Sequence, residues 1–410
     1  MRTKQSTTLV MVGFVSIRRL LLQRKFFSSA LFNPSIRGRW LSTKLNTTFK
    51  YSDLEVQLAT PEQLKPKPDE LVFGKHFTDH MLQISHSKSM GGWQHPQIVP
   101  FQNISLHPAA KVLHYAFELF EGMKAYRGVD GKIRLFRPDR NMERMNRSAV
   151  AAVLPTFDGD ELIQCISRLV EIDQEWVPHS ESSSLYIRPT LIGTDPTLGV
   201  GPTDSALLFV VLCPVGPYFA SGFKPVSLLA DAKYVRAWPG GVGDCKMGSN
   251  YAPTIRVQEV ALKKDLQQVV WLYGSDHQLT EVGTMNIFAF IINDDGEQEL
   301  ITPPLNGLIL PGVTRLSILE LAREWKEFKV TERPITMAEV EKLLSEKRLL
   351  EIFGAGTACI VAPVSSIYFE GKTLTIPTMD HELPVHQKFL KSLSDIQYGR
   401  VEHHWAILVE

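Results

Sequence analysis

One lysine, Lys246, stands in an unusual setting: "GGVGDCKMGSNYAPT", Gly240 to Thr254, where small residues surround it and a tyrosine, Tyr251, follows five positions later. A lysine amine attacks carbon only when neutral, and its ordinary pKa is about 10.4. Burial disfavours the ammonium and lowers that value. A desolvated lysine can then condense with an aldehyde to form a Schiff base. Two commoner readings of a glycine-rich stretch fail here. A phosphate loop needs Gly-Lys followed by Ser or Thr, whereas Lys246 lies between Cys245 and Met247. A dinucleotide fingerprint needs a third glycine where Lys246 stands.

The natural aldehyde for such a lysine is pyridoxal phosphate, and it asks three further things of a protein. A carboxylate must keep its ring nitrogen protonated, a donor must reach its phenolic oxygen, and its phosphate must be neutralised by arginine and a helix N-terminus. Each has a candidate. Glu281, in "HQLTEVGTMN", falls at an expected strand end. Tyr251 offers a phenol. Arg144 and Arg236 are candidate phosphate partners, and a helix starting at "PGVTR" would present free N–H groups at Val313 and Thr314. On these residues alone, a solvated loop lysine and ordinary surface charges are the competing explanation.

Other chemistries find less support. There is no His-Glu-x-x-His, the 12 histidines are scattered, and no metal site is expected. The four cysteines, Cys165, Cys213, Cys245 and Cys359, are far apart and suggest neither a disulfide framework nor zinc. "GTACIVAP" has no nearby base, so Cys359 reads as a small buried hydrophobe. The chain holds 44 Lys plus Arg and 44 Asp plus Glu; ten of the basic residues and none of the acids fall in the first 50 positions, so the rest is acidic by ten. That balance argues against a nucleic-acid binder. The Arg-rich, Ser-rich, acid-free start, residues 1–45, reads as a mitochondrial transit peptide and places the protein in the matrix. No apolar run of about 18 residues suggests a membrane span.

The elements that must position these residues mix helix and strand without a regular βαβ rhythm, so an α+β fold is expected. "KVLHYAFELFEGMKAY" carries a helical apolar period ending near Gly122. "RNMERMNRSAVAAVL" and "GDELIQCISRLVEIDQEWV" read as amphipathic helices, "SLYIRPTLIG" and "ALLFVVLCPV" as strands. "PVGPYFASGFKP", with its prolines and no apolar period, is the candidate inter-domain loop, 214–225, between an N-terminal domain at 46–213 and a C-terminal one at 226–410. Beyond it, "QVVWLYGSDHQLTEVGTMNIFAFIIND" reads as a hairpin turning at Gly274–Asp276. "VTRLSILELAREW" reads as a helix with Thr314 as N-cap.

Several motifs in order, "FEGMKAYRG", "RLFRPDRNMERMNRSA", "SLYIRPTLIG", "GGVGDCKMGSNYAP", "QLTEVGTMNIF" and "TPPLNGLILPGVTR", together resemble branched-chain amino-acid aminotransferases, from about Phe73 to the C-terminus. The likeness is to the animal mitochondrial form. These are fold type IV pyridoxal-phosphate enzymes, which implies a small α/β N-terminal domain, a larger strand-rich pseudo-barrel C-terminal domain, and a homodimer. The resemblance implies transamination of leucine, isoleucine and valine with 2-oxoglutarate. Lys246 would carry the cofactor and then shuttle the α-proton. Glu281 would pair with the ring nitrogen, Tyr251 with the phenolic oxygen, and Arg144 with the phosphate. Val313, Thr314 and Thr357 would assist, with Arg236 close by. The substrate pocket would use Phe73, Phe120, Tyr186, Tyr218 and Thr284, with Arg188 at its mouth. Backbone amides at Thr357 and Ala358 would hold the carboxylate, and Tyr115 and Val200 would come from the other subunit.

One departure stands out. Animal mitochondrial members carry a Cys-x-x-Cys pair after Gly-Thr-Ala, and here Cys359 is followed by Ala362 at the second position. A disulfide between those positions is impossible. Other members of the same fold type, acting on D-amino acids or as an aminodeoxychorismate lyase, are the alternative assignment.

Overall fold

In a computed structural model of the chain, residues 48–60, 63–67, 70–216 and 224–409 are described. The expected transit peptide and Tyr218 lie outside the described residues. From Leu45 to Glu410 the chain forms one compact unit, built on two large sheets.

The first sheet runs, in spatial order, Glu55–Val56, Gln97–Pro100, His80–Ser87, Ser205–Val215, Ser184–Gly193, Met123–Arg127, Ile133–Phe136 and Ala406–Leu408, with Glu118–Phe120 added beside Ser184–Gly193. Ser205–Val215 alternates buried and half-buried residues for most of its length, the mark of a strand with one covered face. That face is covered by two amphipathic helices, Pro138–Ala151 and Gly159–Ile172, whose Met142, Met145, Ile166 and Leu169 join the core with Leu82, Leu185 and Leu208.

The second sheet closes on itself. Gln278–Val282, Gln268–Tyr273, Val226–Ala230, Ile360–Phe369, Leu349–Gly356 and Met285–Ile292 follow one another, and the last pairs with the first. This six-stranded ring has no free edge. Its interior is aliphatic, with Leu228, Val270, Ile287 and Val364. Helices Val313–Trp325 and Val385–Gln397 pack outside it, joined where the Trp325 and Phe389 rings stack 4.7 Å apart. The fold is α+β with a strand-rich barrel, as expected.

Three local expectations are corrected. The apolar period from Val112 to Gly122 does not make one helix: Lys111–Tyr115 is helical, Ala116 turns left-handed (φ +47°), and Glu118–Phe120 and Met123–Arg127 are strands. The helix at 313–325 is capped by Gly312, and Thr314 lies inside it. The C-terminal segment also does not stay with the barrel. Ala406–Leu408 returns to the first sheet beside Ile133–Phe136, which departs from the 226–410 boundary. The turn at Gly274–Asp276 is where it was expected.

Candidate active site

The lysine loop is clamped at three points, one on helix Pro138–Ala151 and two on the first sheet. The Lys246 N–H donates to Ser148 Oγ at 3.0 Å, the Lys246 carbonyl accepts from Phe120 N–H at 3.0 Å, and Met247 bridges Leu119. Ser148 sits one turn beyond Arg144 on helix Pro138–Ala151, so this helix face presents both residues to the site. The glycines of the loop allow close packing. A side chain at Gly243 would meet the Ala237 Cβ at 2.3 Å, and one at Gly248 would meet Glu118 Oε1 at 1.9 Å.

The amine of Lys246 meets Tyr251 Oη at 3.1 Å and lies 4.8 Å from the Phe120 ring. Burial pushes its pKa down to about 8, and the positive charge of Arg144 adds to the shift. Tyr251 is pushed the other way, up to about 12, by burial and by the charge of Glu281. The pair is therefore a poised amine beside a firmly protonated phenol.

Glu281 is buried at the end of Gln278–Val282. Its Oε1 accepts from Leu310 N–H at 2.8 Å, and its Oε2 lies 3.1 Å from Arg236 Nη2. Burial raises its pKa, and Arg236 only partly offsets that. Arg236 also donates to the Leu308 carbonyl at 2.7 Å, while its buried Nε has no partner among the described residues. Read from sequence as a phosphate candidate, Arg236 is found beside the carboxylate instead. It lines one pocket with Tyr251, Glu281, Thr284 and Leu310.

Arg144 is locked. Its Nε and Nη2 each donate to Glu121 at 2.7 Å, and its Nη1 reaches the Pro311 carbonyl at 3.1 Å, just before Val313 and Thr314. Burial works to raise the Glu121 pKa, but Arg144 outweighs it and holds that carboxyl below its ordinary range. The helix beginning at Val313 has no side-chain cap, so its first N–H groups remain available to an anion.

The remaining expected residues divide by position. Phe73 and Tyr186 meet edge to face at 4.9 Å. Arg188 lies over the rings of Phe120 (4.7 Å) and Tyr186 (5.1 Å) and donates to Tyr186 Oη at 3.0 Å. Thr357 Oγ1 is 3.4 Å from the Gly122 carbonyl, and the Ala358 carbonyl accepts from Lys124. Tyr115 and Val200 are exposed and are not gathered into this cluster by any contact among the described residues. Tyr115 donates to the Leu198 carbonyl, and Val200 is 86% exposed. Glu121, Lys124 and Ser148 belong to the site and were not singled out from sequence. Among the described residues no cluster of His, Cys, Asp or Glu could hold a metal ion, and no helix is long and apolar enough to cross a membrane.

The chemistry of this donor set fits a ligand with an aldehyde, a basic ring nitrogen and an anionic tail. The low-pKa amine answers the first and the under-satisfied carboxylate the second. Arg144 and the uncapped helix answer the third.

Known proteins agree. Residues 118–367 match the family described as Amino-transferase class IV. A cytosolic branched-chain-amino-acid aminotransferase of Mus musculus is 59% identical over 367 residues, covering 89% of this chain and 95% of the relative. A mitochondrial one of Rattus norvegicus is 56% identical over 367 residues, covering 89% and 93%. The solved branched-chain amino acid aminotransferase of Thermobaculum terrenum, in its PLP form, shares the fold, with a TM-score of 0.62 at 18% identity over 81% of this chain and 98% of that one. The chain belongs to the class IV aminotransferases, and within them to the branched-chain-amino-acid aminotransferases.

Proposed function

We propose that the protein is a pyridoxal-phosphate-dependent transaminase that passes the amino group of L-leucine, L-isoleucine or L-valine to 2-oxoglutarate, yielding branched 2-oxo acids and L-glutamate. The observation that carries the reading is half-buried Lys246, whose amine has a pKa near 8 and is held 3.1 Å from Tyr251 Oη. When bound, pyridoxal phosphate supplies an aldehyde that captures amines and a ring that withdraws electrons from the substrate's α-carbon.

The chain's own residues do the rest. Lys246 would hold the cofactor through its amine and would serve as the base for the α-proton, with a pKa close to working pH. Glu281, with Arg236 beside it, would pair with the ring nitrogen and favour its protonated form. The Tyr251 hydroxyl donates to the phenolic oxygen. Arg144, the N–H groups of Val313 and Thr314, and the Thr357 hydroxyl bind the phosphate. Phe73, Phe120, Tyr186 and Thr284 wall the apolar pocket, Arg188 guards its mouth, and the amides of Thr357 and Ala358 hold the carboxylate.

Aromatic walls suit branched aliphatic side chains, since each buried methylene adds about 0.8 kcal/mol. Discrimination among the three substrates is correspondingly weak, because leucine and isoleucine are isomers and valine is shorter by one methylene, a difference worth only about 1–3 kcal/mol. Tyr115 and Val200, exposed in the single chain, serve the pocket of the partner protomer in a homodimer. The acid-free, Arg-rich N-terminus supports import into the mitochondrial matrix.

The test is a glutamate-release assay with pyridoxal phosphate and 2-oxoglutarate. Leucine, isoleucine and valine should all be used. Turnover of D-alanine in preference to all three would overturn the substrate class.

A further inference from the structure

Lys246 is half-buried and Lys124 is buried, and the proposed chemistry uses only the first. Lys124 lies on Met123–Arg127, where it pairs in register with Tyr186. It is 7% exposed in a strand whose other residues are almost all buried apolar ones. Its ammonium donates to the Ala358 carbonyl at 2.8 Å. Among the described residues that is its one hydrogen-bond acceptor, so a charged group sits in the protein interior for a single carbonyl. Burial pushes its pKa down to about 8, which Cys359 only partly opposes. A buried lysine at such a cost of desolvation marks a functional constraint.

The carbonyl it holds belongs to the turn between Leu349–Gly356 and Ile360–Phe369. That turn comes from the barrel, while Lys124 comes from the first sheet. Thr357 Oγ1 approaches the same sheet, 3.4 Å from the Gly122 carbonyl. Two contacts from one three-residue segment, Gly122 to Lys124, therefore pin the turn across the gap between the sheets. The planar peptide unit of the Ala358 carbonyl carries the Cys359 N–H, and the contacts at Thr357 Oγ1 and at the Ala358 carbonyl bracket the Thr357–Ala358 peptide and hold it between them. Among the described residues the N–H groups of Thr357 and Ala358 find no backbone acceptor.

We propose that Lys124 is a positioning residue: by holding the Ala358 carbonyl it aims the amides of the Thr357–Ala358 turn at the carboxylate of the incoming substrate and places a positive charge behind them. The inference rests on the transaminase reading given above. It makes Lys124 a determinant of substrate affinity shared by every amino acid and oxo acid that enters, because all carry that carboxylate. Neither cofactor retention nor the proton transfer at Lys246 depends on it.

The experiment compares the wild-type holoenzyme with K124M, which keeps length and removes the ammonium. Binding of 4-methylvalerate, an unreactive branched carboxylate, is titrated by the visible absorbance of the bound cofactor. Hydrogen exchange of the peptide spanning 356–360 is followed without substrate. Loss of one charge-assisted hydrogen bond should raise the Kd for 4-methylvalerate about tenfold. The KM values for leucine and for 2-oxoglutarate should rise by a similar factor, with kcat and the cofactor spectrum nearly unchanged. Exchange of the turn amides should quicken. Wild-type Kd, KM and exchange in K124M would overturn the proposal, as would a loss confined to kcat. Should K124M fail to fold, K124Q, too short to reach the carbonyl, carries the same expectation and the same refutation. Wild-type enzyme that does not turn over leucine would overturn the transaminase reading itself, and this inference with it. Normal wild-type turnover with an unaffected variant overturns this inference alone.

Discussion

Two buried carboxylate–guanidinium pairs flank the lysine, and they are built differently. Glu121 accepts two 2.7 Å bonds from Arg144, a 2.8 Å bond from Asn141 and a bond from Gly122 N–H. Its carboxyl is held below its ordinary pKa. Glu281 has one backbone donor and one guanidinium contact at 3.1 Å, its partner Arg236 keeps a buried unpaired Nε, and burial leaves its carboxyl raised. A fully bonded pair holds a shape. An under-bonded pair has capacity left for a ligand. The Glu121–Arg144 pair thus sets the geometry of the guanidinium proposed for the phosphate and of the helix that ties down Lys246, and the Glu281–Arg236 pair keeps capacity for a ring nitrogen.

Lys246 gives the largest effect. K246A should lower leucine-dependent glutamate production by about 10^4-fold or more while leaving the fold intact; persistent turnover would remove the residue from its role. The two glutamates then break or sharpen the contrast. E281Q should cost about 10^2–10^3-fold in kcat, as loss of one preorganised charge does, with stability changed by less than about 1 kcal/mol because Arg236 keeps its carbonyl partners. E121Q should do the reverse where stability is concerned. Leaving Arg144 buried without its partner should cost about 3–5 kcal/mol in denaturant unfolding of the apoenzyme. Equal stability losses in the two variants would erase the distinction between the fully bonded and the under-bonded pair.

A smaller effect follows from the amine. Only the neutral lysine reacts, and its pKa lies near 8 rather than 10.5. Uptake of pyridoxal phosphate by the apoenzyme should therefore quicken as pH rises through about 8 and level off above it. A rise centred near 10 would mean that the amine is not desolvated.

Much of this site was legible in sequence because its reactive parts sit in irregular segments. Lys246 and Tyr251 stand five apart across a loop and a short 3-10 turn, Gly248–Asn250. Glu281 marks a strand end, and Arg144 a helix face. The supporting residues were hidden for the opposite reason. Glu121 and Lys124 fall in a run whose apolar spacing imitates a helix, and the break at Ala116 depends on a left-handed backbone that no residue type there announces. The usable signal was a glutamate and a lysine inside a largely apolar stretch, Glu121 falling between two strands and Lys124 within the second. The barrel's closure likewise depends on strands distant in sequence, such as Val226–Ala230 beside Ile360–Phe369, which local patterning cannot pair.

The central claim is that one amine of this chain holds the cofactor. Two lysines here share a pKa lowered to about 8, so low pKa alone does not select between them; geometry does, through Tyr251 at 3.1 Å from Lys246. Reduction of the holoenzyme with borohydride, followed by peptide mass mapping, reads the answer directly. The account predicts a phosphopyridoxyl group on the peptide containing Lys246 and none on that containing Lys124. The label on Lys124, on any other lysine, or on none would contradict it.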